Sequence, residues 1–181
     1  MSTLLILDTA TKTGYAVTRD GILVEHGLLR LDANVPKGAK GDFQRQPPIL
    51  LEAYARVADL VDRFRPDFIV AEIPHLRGAS SFLTVAIYGV VELVAAENEV
   101  GFYGVHTASW QSRIIPAPKG VKPRKGDTKD RSIAHVRDLG LDPETDDVAD
   151  AICIAEYAHT ELRLSGDHIP FSILTTRRLV A

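Results

Sequence analysis

The chain has a single cysteine, Cys153, and contains no apolar run long enough to cross a membrane. One cysteine excludes an internal disulfide and is typical of proteins from a reducing compartment. A membrane-spanning helix needs about 20 consecutive apolar residues, a length that no stretch approaches. The first residues also lack the basic start and the cleavage site of a secretory signal. We therefore expect a cytoplasmic protein with no membrane partner.

Neither sign of charge dominates the chain, which carries 21 Lys and Arg against 24 Asp and Glu, a net charge of −3. Proteins that bind nucleic acid indiscriminately usually present a basic surface, so this balance argues mildly against that class. The average hides a basic cluster between residues 119 and 131 that has only two acidic members. Four residues of this cluster would contact backbone phosphates without reading sequence if the chain binds a nucleic acid, and would otherwise form a flexible solubilising loop: Lys119, Lys122, Arg124 and Lys125.

Apolar runs and turn signals alternate along the chain in a pattern typical of a mixed α/β domain. The pattern predicts strands at residues 3–8, 15–18, 22–31, 68–72 and 101–105. It predicts helices at residues 49–64, 81–98, 107–114, 129–138 and 146–159. The second and third strands are joined by Asp20-Gly21, a hairpin signal. We expect one domain over residues 1–160 and a C-terminal tail over residues 161–181, which either docks on the domain or crosses to a partner subunit.

Two of the predicted helices carry further expectations. The first follows a polar loop over residues 34–46 and is expected to begin at Pro47-Pro48, because proline suits the first turn of a helix. The helix over residues 81–98 is apolar almost all round, which predicts deep burial. One edge of that helix could instead form a dimer interface.

Two apolar runs end abruptly in a carboxylate, since residues 4–7 precede Asp8 and residues 68–71 precede Glu72. Such runs are typical of strands buried on both faces, and a parallel crossover between them would make the two carboxylates neighbours. A third acidic segment opens the last apolar helix, where Asp147 and Asp150 are three residues apart and share one helical face. Together the three segments predict a site with four carboxylates.

A site of this composition suits phosphodiester hydrolysis. Mg²⁺ prefers oxygen ligands and keeps several waters, so a few carboxylates suffice without histidine or cysteine. Two ions about 3.5–4 Å apart can activate a water and stabilise both the attacking and the leaving oxygen. We therefore expect Asp8, Glu72, Asp147 and Asp150 to be catalytic ligands of two Mg²⁺ ions.

Each carboxylate also has a plain structural explanation. A carboxylate after a strand is often the first polar residue of a turn, and acids in the first turn of a helix are favoured by the helix dipole. Either Thr145 or Asp146 is expected to be the N-cap of the last helix, and Asp146 is the weakest candidate for the metal site.

The same motifs resemble those of RuvC-type Holliday junction resolvases. Residues 4–17 have the apolar strand that ends in Asp and continues through a turn to Gly-Tyr, and residues 69–72, Ile-Val-Ala-Glu, match the second motif of that family. Residues 147–152, Asp-Val-Ala-Asp-Ala-Ile, match its closing pattern. The resemblance spans about residues 4 to 158, and Trp110 with the Pro- and Lys-rich loop after it is most similar to compact phage members.

The resemblance implies a ribonuclease-H-like fold, with a five-stranded mixed sheet of three antiparallel and then two parallel strands, flanked by helices. It implies a homodimer that cuts four-way (Holliday) DNA junctions with Mg²⁺ or Mn²⁺, in DNA recombination and repair or in phage DNA processing. Lys129 falls near a functional lysine of the family and is expected to be catalytic, by stabilising charge on a phosphate oxygen. His75 stands where cellular members place an aromatic residue and is expected to contact DNA.

Three other functions remain open at this point. Another nuclease of the ribonuclease-H-like class could cut flaps or RNA–DNA hybrids. An ATP-binding protein of the actin and sugar-kinase type also has a first strand that ends in Asp, but the chain is short for two such domains and has no second glycine-rich phosphate loop. A non-catalytic nucleic-acid-binding relative would keep the fold, although the presence of four carboxylates argues against it.

Overall fold

The first three strands form an antiparallel meander. The computed structural model describes residues 2–75, 81–118, 120, 124, 126–162, 164 and 171–173. Strands β1 (Thr3–Asp8), β2 (Lys12–Arg19) and β3 (Ile22–Arg30) pair in sequence order. Asp20 and Gly21 both have positive φ, as the predicted two-residue hairpin turn requires.

Two parallel strands extend the sheet on the other side of β1. Strand β4 (Phe68–Ile73) lies parallel beside β1, and β5 (Gly101–His106) lies parallel beside β4. The register pairs Leu7 with Ala71, so the next residues, Asp8 and Glu72, lie side by side at one end of the sheet. The five predicted strands are therefore confirmed.

A sixth strand, β6 (Ser172–Ile173), extends the predicted sheet. It pairs in parallel with Ile22 and Leu23 of β3, and the strand order becomes β5-β4-β1-β2-β3-β6. These two residues of the predicted tail thus lie on the domain. Most of the tail, at positions 163, 165–170 and 174–181, lies outside the described residues.

Helices cover both faces of the sheet. Helices α1 (Gly41–Phe64) and α2 (Ser81–Glu97) pack against one face. Helices α3 (Thr107–Ile114), α4 (Asp127–Asp138) and α5 (Asp146–Tyr157) pack against the other, and α5 continues into a π-helical turn, Ala158–Leu162. Successive strand residues point to opposite faces, so β1 is buried on both sides and each layer of helices has its own apolar core.

Helix α1 begins at Gly41, so its predicted start at Pro47-Pro48 is wrong, as is the end of the predicted loop over residues 34–46. The prolines lie inside the helix, where each lacks the N–H that a helix interior normally uses. The turn that precedes them is supported by the side chain of Gln44, whose Oε1 accepts the Lys40 N–H at 2.9 Å. The preference of proline for the first turn of a helix therefore predicted a start for α1 that is six residues later than the observed start.

Helix α2 matches its predicted bounds within one residue, but it is not buried all round. One side packs against α1 and the sheet, whereas Phe82 is 76% exposed and Leu93 is 50% exposed. The prediction of deep burial is therefore wrong for the side of α2 that carries Phe82 and Leu93, because no other element in the described part of the chain covers that side. Despite the apolar composition of α2, the described ranges contain no helix suited to span a membrane.

Candidate active site

Strands β1 and β4 bring Asp8 and Glu72 together. Besides the ladder between the strands, Thr9 Oγ1 donates a hydrogen bond of 3.0 Å to the main-chain carbonyl of Glu72. Burial, followed by the negative charge of Glu72 and then the charges of Asp150 and Asp147, raises the pKa of Asp8 well above its usual range. The carboxyl of Asp8 therefore lies among acidic groups from two other segments of the chain, β4 and α5.

The N-terminus of α5 is capped by Thr145, whose Oγ1 accepts the Val148 N–H at 3.2 Å. Thr145 is thus confirmed as the N-cap, and the alternative assignment to Asp146 is wrong. The side chain of Asp146 points to α4, where it forms an ion pair with Lys129. Its carboxylate therefore links α5 to α4 and, within the described chain, does not accept a hydrogen bond from the N-terminal N–H groups of α5.

Asp147 and Asp150 follow in the first turns of α5, and the chain is close to the sheet here because Gly14 has no side chain. Burial raises the pKa of both carboxyls, that of Asp150 to about 7. The nearby hydroxyl of Ser132, which donates to the main-chain carbonyls of Thr128 and Lys129, lowers the pKa of Asp150, and the charge of Glu72 raises it. Asp150 Oδ1 is buried and has no hydrogen-bond partner among the described residues.

Glu72 differs from the other carboxylates because both of its oxygens have donors. Thr107 Oγ1 donates to Oε1 at 2.6 Å, and Trp110 Nε1 donates to Oε2 at 2.7 Å. Both donors lie on α3, which follows β5 directly. Glu72 is therefore held in a defined orientation by groups outside the carboxylate cluster.

The donor chemistry of this cluster fits a hard divalent cation. The cluster offers only oxygen ligands, from Asp8, Glu72, Asp147 and Asp150. A bound cation would reduce the repulsion between these carboxylates and would give the buried Oδ1 of Asp150 a partner. Within the described ranges, however, no three His, Cys, Asp or Glu side chains are arranged as a closed ligand set. Mg²⁺ does not require one, because it keeps several waters and commonly binds through one or two carboxylates.

The basic residues predicted for the site fall into three groups. The ammonium of Lys129 lies near the cluster, and its pKa is raised by a hydrogen bond to Asp146 and by the charges of Asp147 and Asp150. Arg124 and His75 are exposed, Arg124 just before α4 and His75 just after β4. Lys119, Lys122 and Lys125 lie outside the described residues.

Four residues at this site were not predicted: Lys12, Thr107, Trp110 and Ser132. A buried indole N–H usually finds an acceptor, but the polar sequence around Trp110 indicates neither the burial of its side chain nor the acceptor. Ser132 is buried beside Asp150, and Lys12 is exposed on β2, where its charge lowers the pKa of Asp147. The sequence signal for Lys12 is its position between Asp8 and Gly14.

No protein-family model and no curated protein sequence matches the chain. Solved structures of the same fold do match. A structure of Thermus thermophilus RuvC has a TM-score of 0.64 and 20% identity, and the match covers 91% of this chain and 96% of that one. Thermus thermophilus RuvC in complex with a Holliday junction substrate also has a TM-score of 0.64, with 18% identity over 89% of this chain and 97% of that one.

A third match is the yeast mitochondrial Holliday junction resolvase Ydc2, with a TM-score of 0.53 and 15% identity over 85% of this chain and 77% of that one. At these identities the likeness concerns the fold. The predicted ribonuclease-H-like fold is therefore confirmed, and the sequence motifs that resemble RuvC-type resolvases lie on the same architecture.

Proposed function

We propose that the chain is a metal-dependent endonuclease that cuts four-way DNA junctions by phosphodiester hydrolysis. One observation carries the proposal: the β1–β4 register and the start of α5 bring carboxylates from three elements together at one end of the sheet, where burial and then the neighbouring negative charges raise the pKa of Asp8. The fold supports the choice of substrate, because it is shared with a RuvC structure that contains a Holliday junction. Recombination, repair or phage DNA processing is the corresponding biological context.

Four side chains would hold the cations: Asp8, Glu72, Asp147 and Asp150. Two Mg²⁺ ions, or Mn²⁺ in their place, would activate a water and stabilise the attacking and leaving oxygens of the phosphodiester. The chain itself supplies the orientation of Glu72 through its two donors on α3. The ammonium of Lys129 would stabilise the negative charge that develops on a phosphate oxygen. To do so, it must leave its ion pair with Asp146 and bind the phosphate instead.

The DNA-binding surface extends from this site along the N-terminus of α4. Arg124 is exposed there, and Lys119, Lys122 and Lys125 are its neighbours in sequence. These residues would contact backbone phosphates, which position DNA without reading its sequence. His75 is exposed after β4 and would contact DNA beside Glu72. A net charge of −3 is compatible with DNA binding in this scheme, because the acidic residues at the metal site lower the net charge while the basic residues lie together in another segment.

We further propose that a second copy of the chain covers the exposed side of α2. Phe82 and Leu93 of α2 and Leu51 of α1, which is 71% exposed, are large apolar side chains left exposed on the layer of helices opposite α5. Apolar side chains that are exposed together on one layer favour an interaction surface. A two-fold homodimer would provide two active sites, as cutting two strands of a junction requires.

The substitution Asp8→Asn tests the proposed function. It keeps the size of the side chain but removes the charge, so cleavage of a synthetic four-way junction in Mg²⁺ should be lost while junction binding is retained. Flap DNA, duplex DNA and an RNA–DNA hybrid, each with and without Mg²⁺, serve as competing substrates. Full activity of Asp8→Asn would contradict the metal site, and preferential cleavage of the flap or the hybrid would contradict the assigned substrate.

A further inference from the structure

Both oxygens of the Glu72 carboxylate are engaged by one short helix. Thr107 and Trp110 donate to Oε1 and Oε2 respectively, and their spacing of three residues places them on one face of α3. Helix α3 follows β5 directly, and β5 pairs with β4 so that Val105 lies opposite Glu72. The carboxylate is therefore carried by β4, and its two donors by the helix that follows the neighbouring strand β5.

The two donors differ in their freedom. The indole of Trp110 is fully buried in the apolar core, where it packs with residues of α4 and α5, and it can only donate. The hydroxyl of Thr107 is partly exposed at the start of α3 and can rotate. Each carboxylate oxygen of Glu72 has two lone pairs, so one pair on each oxygen is left for a cation.

We propose that Thr107 and Trp110 are positioning residues, which fix the Glu72 carboxylate in the orientation in which it binds the divalent cation. This inference rests on the proposed function, because it assigns a cation to Glu72. It adds the groups that set the affinity of the centre for that cation. Neither residue touches the DNA in this scheme, and both act through Glu72. Loss of such a partner of a metal ligand typically lowers metal affinity or activity by about 10–100-fold.

Substitutions at the two positions separate the hydrogen bonds from the packing. Thr107→Val removes the hydroxyl at nearly constant volume, Thr107→Ser restores it, and Trp110→Phe removes the N–H but keeps an aromatic ring. Thr160→Val is the matched control, because it removes a hydroxyl that donates to the main-chain carbonyl of Glu156, away from the site. Thermal denaturation of each variant shows whether it is folded.

Two measurements report the metal affinity: calorimetric titration with Mn²⁺ in the absence of DNA, and the Mg²⁺ dependence of single-turnover junction cleavage. We expect Thr107→Val and Trp110→Phe to weaken the affinity by about 10–100-fold in both. Thr107→Ser and Thr160→Val should behave like the wild type. Wild-type affinity in Thr107→Val would overturn the proposal for Thr107, and this variant with its serine counterpart decides the outcome if Trp110→Phe does not fold.

A third measurement needs neither metal nor activity. Trp110 is the only tryptophan, so its indole N–H gives a single side-chain signal in a ¹H–¹⁵N NMR spectrum. Glu72→Ala should move this signal, whereas Glu97→Ala on α2 should not. A signal that is indifferent to Glu72→Ala would overturn the proposal, and so would a wild type that binds no Mn²⁺. A wild type that binds Mn²⁺ as expected but cuts no junction would contradict only the proposed function.

Discussion

Gly14 of β2 lies directly against the main-chain carbonyl of Asp147 in the first turn of α5, so that a Cβ atom on Gly14 would overlap that carbonyl. Gly14 is also the residue that pairs with Asp8 across the β1–β2 ladder. The absence of a side chain at this one position therefore lets α5 approach the strand that carries Asp8. A backbone contact, rather than a side-chain contact, brings the carboxylates of helix and sheet within reach of one another.

Gly14→Ala should displace the first turn of α5. The new methyl group meets backbone, which cannot rotate away, so we expect a loss of about 1–3 kcal/mol in the free energy of unfolding. The cleavage rate should also fall in protein that is fully folded, because the displaced turn moves Asp147 away from Asp8. Urea denaturation and junction cleavage under conditions where the variant is fully folded measure the two effects.

Gly104→Ala is the matched control for this substitution. A methyl group at Gly104 would meet the hydroxyl of Tyr88 and the side chain of Ile73, which can both shift. A smaller loss of stability and wild-type cleavage are expected. If Gly104→Ala and Gly14→Ala reduced cleavage equally, the close approach at Gly14 would have no special role.

The stability of the metal-free protein should depend on the ionisation of Asp150. Its pKa in the folded chain, about 7, lies above its ordinary value of 3.8, so the folded chain binds more protons than the unfolded chain between these two values. Stability therefore falls as the pH rises through this window, with a slope that approaches about 1.4 kcal/mol per pH unit for one proton. Asp8, whose pKa is also raised, contributes in the same direction.

Asp150→Asn should remove this contribution. Urea denaturation in a chelator, from pH 5 to pH 8.5, should show that the variant gains stability over the wild type as the pH rises. The difference between the two proteins cancels the contributions of titrating groups that do not interact with Asp150; Asp8, whose pKa the charge of Asp150 raises, changes with it. Mg²⁺ should stabilise the wild type at the upper end of this range but not the variant. A constant difference across the range would contradict the raised pKa.

Lys129 should matter for cleavage and hardly at all for stability. Its ion pair with Asp146 is partly exposed, and pairs of this kind contribute about 0–1 kcal/mol. Removal of a group that stabilises transition-state charge typically costs about 10²–10³ in rate, which is the loss expected for Lys129→Ala in single-turnover cleavage. Asp146→Asn breaks the same ion pair but keeps the ammonium, so it should cleave like the wild type. Equal losses in the two variants would indicate that the pair, rather than the ammonium, is required.

The proposed homodimer predicts that a charge on α2 separates the subunits. Phe82→Asp would bury an unpaired carboxylate, which costs about 3–5 kcal/mol, so the variant should sediment as a monomer at concentrations where the wild type is a dimer. Val24→Asp places the same charge on another exposed apolar residue, on β3, and should leave the dimer intact. A wild type that is monomeric at micromolar concentration would contradict the dimer itself.

Much of the fold, and the grouping of the four carboxylates in the candidate site, follow from local sequence patterns. Apolar runs that end in Asp8 and Glu72, together with the preference for parallel crossovers, predict that the two carboxylates are neighbours. Helical periodicity predicts that Asp147 and Asp150 share a face. Each of these inferences needs only one element or one pair of elements.

The features that were missed depend on contacts between distant segments. Nothing near Trp110 in sequence indicates that its N–H donates to Glu72, because that contact depends on how α3 follows β5. A helix that is apolar almost all round has too few polar residues, chiefly Glu92 and Glu97, to reveal which side of α2 faces solvent. Strand β6 pairs with β3 across about 150 residues of intervening chain, and a two-residue strand has no periodicity to recognise.

The carboxylate centre also joins segments that a ribosome makes at very different times. Asp8 and Asp150 are roughly 140 residues apart, and bringing such distant residues together costs loop-closure entropy before the contact stabilises the fold. A growing chain can thus contain β1 to β5 while its acidic centre still lacks α5. The proposed nuclease would lack Asp147 and Asp150 until α5 has been made, so a chain interrupted before α5 should not cut DNA.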